Sequence, residues 1–253
     1  MTLSSRPVLE TRALTKAYGG FTAVGPVDLR ISEGTVHALV GPNGAGKTTL
    51  FHLLTGHVPA GTGRIVLDGR DITGHSPERI ARLGVARSFQ VTSLFEHATA
   101  AEHLELALMA GSPLGRAFWR SDRALARHRE RALELLDQVG LARWADEPAG
   151  RLPYGRGRAL ELALAIALDP KLLLLDEPTA GMGTEDIERT VELIGRVRQG
   201  RTVVLVEHNM QVVASLAERV TVLQRGRILA EGSYDDVRSD ERVVEAYLGA
   251  GHE

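Results

Sequence analysis

Cysteine is absent from the 253-residue sequence, and aromatic residues make up only 4% of it. Without cysteine the chain can form no disulfide, no cysteine-ligated zinc or iron–sulfur site and no thiol nucleophile, which is typical of a cytosolic protein. The scarcity of aromatic residues argues against a surface on which nucleic-acid bases stack. No run approaches the roughly 18 consecutive apolar residues of a membrane span, and residues 1–12 lack the apolar stretch of a secretory signal. We therefore expect a protein that stays in the cytoplasm unless a partner holds it at a membrane.

The composition is that of a globular protein with balanced charge. Apolar residues make up 43% of the chain and charged residues 25%, and 30 basic against 32 acidic side chains leave a net charge of −2. This length suits one large domain or two small ones with a sizeable buried core. Because the net charge is close to zero, it provides no electrostatic reason to expect a nucleic-acid partner.

Strand patterns alternate with helical patterns along most of the chain, which predicts an α/β architecture. The predicted strands are Val36–Val40, Gly63–Gly69, Leu172–Leu175, Thr202–Val206, and a hairpin of Arg219–Leu223 with Ile228–Ala230. The predicted helices include Lys47–Thr55, Ala124–Val139, Ala159–Leu168 and an amphipathic helix around Ile187–Val197. From about residue 94 to 150 strand patterns disappear, which indicates a helical insertion between two halves of an α/β core.

A glycine-rich phosphate-binding loop is predicted at residues 41–48, where a strand ends and a helix begins. The sequence GPNGAGKT matches the pattern G-x-x-x-x-G-K-[ST]. Its glycines let backbone N–H groups converge on phosphate oxygens, and the helix N-terminus adds partial positive charge. The alternative is an ordinary glycine-rich turn, but the chain has only three lysines and one of them stands at this position. The expected nucleotide contacts are Gly41, Pro42, Asn43, Gly44, Ala45, Gly46, Lys47, Thr48 and Thr49.

Two adjacent carboxylates, Asp176 and Glu177, follow a run of four leucines. A strand buried on both faces would carry them to one edge of a sheet. We expect Asp176 to help hold Mg²⁺ and Glu177 to polarise the attacking water. The alternative is a pair of solvated acids at a strand end. The phosphate loop elsewhere in the chain favours the functional interpretation.

The order of motifs along the chain resembles that of one family, the ATP-binding cassette ATPases, and the resemblance covers nearly the whole chain. Besides the phosphate loop and the carboxylate pair, it rests on LTKAYGG at 14–20, RSFQ at 87–90, LPYGR at 152–156, AGMG at 180–183 and EH at 207–208. Each alone has an ordinary explanation, such as a turn aromatic, a surface amide or a structural histidine. Their shared order indicates the family.

The resemblance implies a role for each matching residue. Tyr18 is expected to stack on adenine, and Gly155 is expected to meet ATP bound to a second subunit. Gln90 would bring an amide to the metal or to the water, and His208 would hydrogen-bond the γ-phosphate. ATP and Mg²⁺ are the implied cofactors. The implied metal ligands are Thr48, Gln90 and Asp176, and the implied catalytic residues are Glu177, His208 and Gln90.

The resemblance also implies a fold and an assembly. The fold is a P-loop NTPase (RecA-like) core with an antiparallel β subdomain and an inserted α-helical subdomain. Residues 1–253 would form one nucleotide-binding domain, with the core at about 1–90 and 158–253 and the helical subdomain at about 91–157. The family closes head to tail around two nucleotides, so a second ATPase subunit, identical or related, is an expected partner.

Two departures from the family pattern concern the half of the site that faces the partner. The usual signature is Leu-Ser-Gly-Gly-Gln, whereas Pro153, Tyr154 and Arg156 replace its serine, first glycine and glutamine. Gly183 stands where the family's D-loop has an aspartate. Losing the serine removes a hydrogen-bond donor to the γ-phosphate. We expect Arg156 to face the partner's nucleotide and to restore positive charge there.

The amino-acid sequences of several segments resemble those of one subgroup, the ATP-binding subunits of importers for branched-chain amino acids and related polar solutes. The segments are Gly41–Gly56, Asp68–Leu83, Gly84–Gln90, Pro153–Gly155, Gly181–Gly183 and Val243–Gly249. Urea importers and the lipopolysaccharide-export ATPase share much of this pattern. The subgroup implies permease subunits as partners, indirectly a periplasmic or extracellular solute-binding protein, no nucleic acid, and a place on the cytoplasmic side of the inner or plasma membrane.

Two other functions are open to a chain with these motifs. A soluble cassette protein of translation or DNA repair usually carries two cassettes or a long coiled-coil insertion, and this chain has neither. A small-molecule P-loop kinase would not explain the signature region or the position of His208.

A basic stretch within residues 111–131 adds a separate feature. Arg116, Arg120, Arg123 and Arg127 step by 4, 3 and 4 residues and would share one helical face. One interpretation is a solvated arginine face. The other is contact with anionic lipid headgroups or an acidic partner loop.

Overall fold

The computed structural model describes residues 6–88, 94–111 and 122–249, and these form two compact units. The first unit comprises Met1–Arg87, Lys171–Glu177 and Gly200–Glu253, and the second comprises Ser88–Pro170 and Pro178–Gln199. Within the described ranges, no helix is both long and apolar enough to cross a lipid bilayer.

Strands and helices are interspersed along the described parts of the chain, with four strands in succession at the start and three α-helices in succession in the middle. The strands are β1 (Pro7–Tyr18), β2 (Phe21–Val27), β3 (Arg30–Ser32), β4 (Val36–Val40), β5 (Thr62–Leu67), β6 (Arg70–Asp71), β7 (Val85–Arg87), β8 (Leu172–Asp176), β9 (Thr202–Val206), β10 (Arg219–Gln224) and β11 (Arg227–Gly232). The helices are α1 (Lys47–Leu54), α2 (Pro77–Arg82), α3 (Ala100–Gly111), α4 (Asp122–Gln138), α5 (Tyr154–Ile166), α6 (Thr184–Val197), α7 (Met210–Leu216), α8 (Tyr234–Ser239) and α9 (Glu241–Gly249).

The first unit contains a six-stranded sheet with the strand order β11-β10-β4-β9-β8-β7. Its neighbouring strands are parallel, except for the antiparallel hairpin of β10 and β11. Every residue of β4, β8 and β9 is buried. This explains why these strands read as unbroken apolar runs, since a parallel sheet has both faces covered. The predicted α/β core is confirmed.

A second, antiparallel sheet in the same unit has the order β2-β1-β5-β6, and β3 also pairs with β1. It is the antiparallel part of the fold that the family resemblance implies. Pattern reading alone did not identify β1 and β2. The ladders of β1 contain register shifts, and Ala13 has a φ of +45°, so the strand does not keep the period-two alternation that predicts a strand.

Helix α1 contributes to a core shared by both sheets. Leu50 and Phe51 of α1 pack in one cluster with Leu14 of β1 and Leu174 of β8. A second cluster joins Val40 and other residues of β4 and β10 to the helices α7, α8 and α9. Removing apolar surface from water stabilises a fold by about 25 cal/mol per Å². The burial of these side chains therefore stabilises the position of the strand that leads into the phosphate loop.

The second unit contains α3 to α6. The apolar stripe predicted for α4 is buried at Ala132, Leu135 and Leu136. Helix α5 begins at Tyr154, not at Ala159 as the apolar pattern suggests. Its first turn, residues 154–158, holds two glycines and two arginines, so apolar periodicity cannot locate this helix start.

His37 makes the stability of the fold depend on pH. It is fully buried in β4, and its Nε2 lies 2.7 Å from the Thr221 hydroxyl. Burial lowers the pKa of His37 from 6.5 to about 4. In the unfolded chain the imidazole of His37 is therefore protonated below pH 6.5, whereas in the folded chain it is protonated only below about pH 4. The contribution of the neutral imidazole to the free energy of unfolding is fully present above pH 6.5, and it decreases as the pH falls from 6.5 to about 4.

We expect this group to lower the free energy of unfolding by about 3 kcal/mol between pH 7 and pH 4. Urea unfolding of the parent and of His37→Gln across this range measures the effect, because glutamine can still donate to Thr221 but cannot be protonated. The pH dependence should be shallower in His37→Gln. Equal slopes for the two proteins would contradict the prediction.

Candidate active site

The predicted phosphate loop and carboxylates lie at one edge of the six-stranded sheet. Strands β4, β9 and β8 are parallel neighbours, so their carboxyl ends meet at the same edge. The loop follows β4, Asp176 ends β8, and Glu207 and His208 follow β9. This edge is where open α/β sheets bind their ligands.

The loop is held in shape by its glycines and by neighbouring backbone. A Cβ at Gly41, whose φ is +149°, would lie 2.1 Å from the carbonyl oxygen of Leu223. A Cβ at Gly46, whose φ is +98°, would lie 2.4 Å from the carbonyl oxygen of Ala23. Gly226 N–H, in the β10–β11 turn, donates to the Ala45 carbonyl at 2.9 Å. Neighbouring backbone therefore restrains the conformation of the loop.

A lysine and a helix N-terminus place positive charge at the loop. Helix α1 starts at Lys47, and no side chain caps its first turn, so backbone N–H groups there are available to phosphate oxygens. The Lys47 ammonium donates to the carbonyl oxygens of Gly41 at 2.7 Å and Pro42 at 3.0 Å. Burial lowers the pKa of Lys47, and the nearby carboxylates of Glu177 and Asp176 offset part of that change. The arrangement suits a polyphosphate.

Asp176 is buried and paired with an arginine that sequence reasoning did not select. Arg87 Nη2 donates to Asp176 Oδ2 at 2.6 Å, and the two side chains are 9% and 0% exposed. Arg87 ends β7, which pairs with β8, so the two side chains meet across neighbouring strands. Arg87 is the first residue of the segment RSFQ at 87–90, in which the family resemblance points only to the glutamine.

The donor set fits Mg²⁺. Asp176 Oδ1 is buried and has no hydrogen-bond partner among the described residues, which leaves a carboxylate oxygen for a cation or its water. The exposed Thr48 lies in the first turn of α1. The described residues contain no cluster of three or more histidine or acidic side chains arranged around a metal. A site built from one carboxylate, one hydroxyl and substrate phosphates is typical of magnesium.

Glu177 and His208 contact each other directly. His208 Nε2 lies 2.7 Å from Glu177 Oε1, and since an ionised carboxylate only accepts, the imidazole N–H donates. Glu177 has a φ of +47°, a strained conformation for a residue with a side chain. Its backbone N–H donates to the Val206 carbonyl at 2.9 Å. The next strand thus holds Glu177 in this conformation at the strand edge.

Glu207 supports His208 and is a second residue that sequence reasoning missed. Its buried carboxylate accepts hydrogen bonds from the backbone N–H groups of His208 at 3.0 Å and Asn209 at 3.2 Å. Asn209 in turn caps α7 through the N–H groups of Gln211 and Val212. These contacts fix the turn that carries the imidazole.

Tyr247 of α9 also approaches the phosphate loop. It packs against the core cluster that contains Val40. Burial raises the pKa of Tyr247, and a hydrogen bond with the backbone of Gly41 offsets part of this rise. The C-terminal helix is thereby tied to the first residue of the loop, which only the tertiary structure reveals.

Tyr18 lies at the end of β1 and is 46% exposed. Phe21 stands opposite it in the β1–β2 hairpin and is 65% exposed. The Lys16 ammonium lies 5.1 Å from the centre of the Tyr18 ring. The hairpin therefore presents two aromatic rings, and the stacking of Tyr18 on adenine stays a prediction.

In the second unit, the signature region forms the first turn of α5. The Tyr154 hydroxyl donates to the Ala180 carbonyl at 3.2 Å and accepts from Arg158. A Cβ at Gly155 would lie 3.3 Å from Asp186 Oδ1. The Arg156 guanidinium lies 3.6 Å from the centre of the Trp144 ring, a cation–π contact within its own chain. That Gly155 and Arg156 meet a partner's nucleotide stays a prediction.

Two sequence predictions lie outside the described residues. Gln90 falls in the range 89–93, and Arg116 and Arg120 fall in the range 112–121. Within the described part of the basic stretch, Arg129 pairs with Glu105 at 3.0 Å and Asp146 at 2.6 Å, and Arg131 pairs with Glu134 at 2.7 Å.

Two family models match the sequence. The model described as ABC transporter matches residues 24–180. The model described as branched-chain amino acid ATP-binding cassette transporter matches residues 227–253, the segment that contains α9 and Tyr247.

Curated relatives match along almost the whole chain. The high-affinity branched-chain amino acid transport ATP-binding protein BraF of Pseudomonas aeruginosa is 40% identical over 255 residues, covering 97% of this chain and 99% of that protein. The protein of the same description named LivG in Escherichia coli is 36% identical with the same coverage.

Solved structures match in fold. The crystal structure of the ADP conformation of MJ1267, an ATP-binding cassette of an ABC transporter, has a TM-score of 0.86 and 29% identity, covering 97% of this chain and 100% of that chain. A dimeric post-hydrolysis state of the ATP-binding cassette MJ0796 bound to ADP and Pi has a TM-score of 0.76 and 26% identity, covering 89% and 98%.

Proposed function

We propose, on the premise that this chain belongs to the family of ATP-binding cassette transporter ATPases, that it is the ATP-hydrolysing subunit of an importer for branched-chain amino acids or a related polar solute. The observation that carries the proposal is the Glu177–His208 pair, which lies at the sheet edge that also holds the phosphate loop. The names of the relatives and the match at residues 227–253 support the solute class.

In this proposal the predicted site residues of the first unit bind ATP or take part in its hydrolysis. The phosphate loop and Lys47 bind the β- and γ-phosphates through N–H donors. Glu177 polarises the water for in-line attack, and His208 fixes the geometry of water and γ-phosphate. Tyr18 stacks on adenine.

Thr48, Asp176 and Gln90 would hold Mg²⁺ in the same proposal. When bound, the ion neutralises charge on the phosphate oxygens. The buried Asp176 Oδ1, which has no hydrogen-bond partner among the described residues, supports its part in this set.

The proposed assembly contains two cassettes and a permease. We propose that residues 1–253 act as one cassette, and that Gly155 of one subunit meets ATP in the loop of the other. Closure around two nucleotides would drive permease subunits at the cytoplasmic side of the membrane, with a solute-binding protein delivering the solute on the other side. The dimeric structure of the similar cassette MJ0796 supports the two-cassette arrangement.

Affinity purification from detergent-solubilised native membranes tests the proposed function. We expect polytopic permease subunits to co-purify, and we expect ATP hydrolysis by the complex in proteoliposomes to rise when the binding protein and leucine, isoleucine or valine are added. Lys47→Ala serves as the control complex, since it should assemble without hydrolysing ATP. Stimulation by urea alone, or recovery with lipopolysaccharide-export components, would reassign the solute. Recovery from the soluble fraction with ribosomes or DNA would contradict the transporter role.

A further inference from the structure

Arg87 and Asp176 form a buried ion pair with an incomplete set of hydrogen bonds. An arginine fork commonly binds a carboxylate through two parallel bonds. Here the structure shows one, from Nη2 to Oδ2 at 2.6 Å. Asp176 Oδ1 and Arg87 Nε are both buried without a hydrogen-bond partner among the described residues. The second oxygen of the carboxylate is therefore left to another ligand.

The surroundings hold the guanidinium in place from two directions. Arg87 is the last residue of β7, and the pairing of β7 with β8 aligns it with Leu174, two residues before Asp176. The guanidinium carbon also lies 5.9 Å from the centre of the ring of Phe51, a fully buried residue of α1. Since both the strand and the ring are parts of the core, the arginine is a fixed support and not a mobile surface group.

We propose that Arg87 is a positioning residue that holds Asp176 by Oδ2 and so presents Oδ1 to the divalent cation that accompanies ATP. The proposal rests on the proposed function, because it concerns the metal ligand of the same hydrolytic site. Arg87 does not touch the nucleotide in this arrangement. It acts through the orientation of one carboxylate, in the way that outer partners orient metal ligands in other proteins.

The test measures metal binding in a protein that cannot turn ATP over. In the Glu177→Gln background, Mn²⁺ is titrated against protein with saturating ATP, and free Mn²⁺ is read by electron paramagnetic resonance. We expect Arg87→Met to weaken Mn²⁺ binding by about tenfold or more. ATP affinity measured in excess EDTA should be unchanged, because the phosphate loop does not depend on the arginine.

Two further variants keep the test decisive. Arg82→Met removes an exposed arginine of α2 and should leave Mn²⁺ binding unchanged. Arg87→Lys keeps the buried positive charge, so it should fold even where Arg87→Met does not, and should weaken Mn²⁺ binding by less than Arg87→Met would. Thermal melting of each variant reports its folding.

Three outcomes would overturn the proposal. One is unchanged Mn²⁺ binding in a folded Arg87→Met protein, and another is unchanged binding in Arg87→Lys when Arg87→Met does not fold. The third is an equal loss of ATP affinity in EDTA and with metal, which would show that Arg87 only supports the loop. Failure of the hydrolytic site itself looks different, because the parent would then bind neither ATP nor ATP with Mn²⁺, and failure of the importer role alone would leave the Mn²⁺ result unaffected.

Discussion

Glu177→Gln is expected to bind ATP as the parent does and to hydrolyse it about 10²–10⁴-fold more slowly. Glutamine keeps the size of the side chain and an oxygen that accepts from His208 Nε2, a contact of 2.7 Å in the parent. It cannot polarise water by taking a proton. The geometry of the pair and the strained φ of Glu177 should therefore persist while the base is lost.

Phosphate release under saturating ATP gives kcat, and fluorescent-nucleotide titration gives the ATP affinity of the same protein. Size-exclusion chromatography with Mg-ATP should show Glu177→Gln as a trapped dimer. Glu188→Gln, an exposed residue of α6, is the matched control and should behave like the parent. A Glu177→Gln protein that stays monomeric and fully active would refute the assignment of the base.

Lys47→Ala is expected to weaken ATP binding by about 100-fold, equivalent to about 3 kcal/mol. Lys47 is the only lysine in the loop sequence, and its ammonium group donates hydrogen bonds to the carbonyl oxygens of Gly41 and Pro42. Phosphate oxygens would accept those donors at a site whose burial strengthens the charge interaction. Without Lys47, only the backbone N–H groups of the loop and helix remain to bind the phosphates.

Isothermal titration with a non-hydrolysable ATP analogue measures this loss. Lys171→Ala is the natural control, since this exposed lysine pairs with Asp68 at 3.1 Å on the surface and should not affect ATP binding. Circular dichroism should show both variants folded. Equal losses of affinity in the two variants would show that general charge, and not the position of Lys47, binds the nucleotide.

Local patterns were sufficient for the central strands of the parallel core, but not for the short edge strand β7. Strands β4, β8 and β9 are continuous apolar runs, because a strand covered on both faces has no polar side to alternate with. The phosphate loop needs glycines where a Cβ would strike neighbouring backbone, so its pattern is visible in the chain. The family resemblance implied the antiparallel sheet, but local patterns did not identify its strands β1 and β2, because the register shifts of β1 break its periodicity.

The supporting residues of the site could not be identified in the same way. Arg87 lies 89 positions from Asp176, so no local pattern predicts that the two side chains form an ion pair. Glu207 is adjacent to His208, but the local sequence does not predict that its carboxylate accepts the His208 backbone N–H. The Arg156 guanidinium lies 3.6 Å from the centre of the Trp144 ring, a contact that its local sequence does not predict. An arginine side chain takes whichever partner its surroundings offer, and only packing decides that.

Local sequence patterns were enough to identify the family, to locate the predicted phosphate loop and carboxylate pair, and to place most strands of the six-stranded sheet along the chain. These follow from backbone conformation and periodicity, which depend on residues close together in the chain. The tertiary structure alone decided that Arg87 binds Asp176, that Glu177 binds His208 and that Tyr247 reaches the loop. Each of these contacts joins residues far apart in sequence, and it exists because strands and helices of the same core bring their ends together.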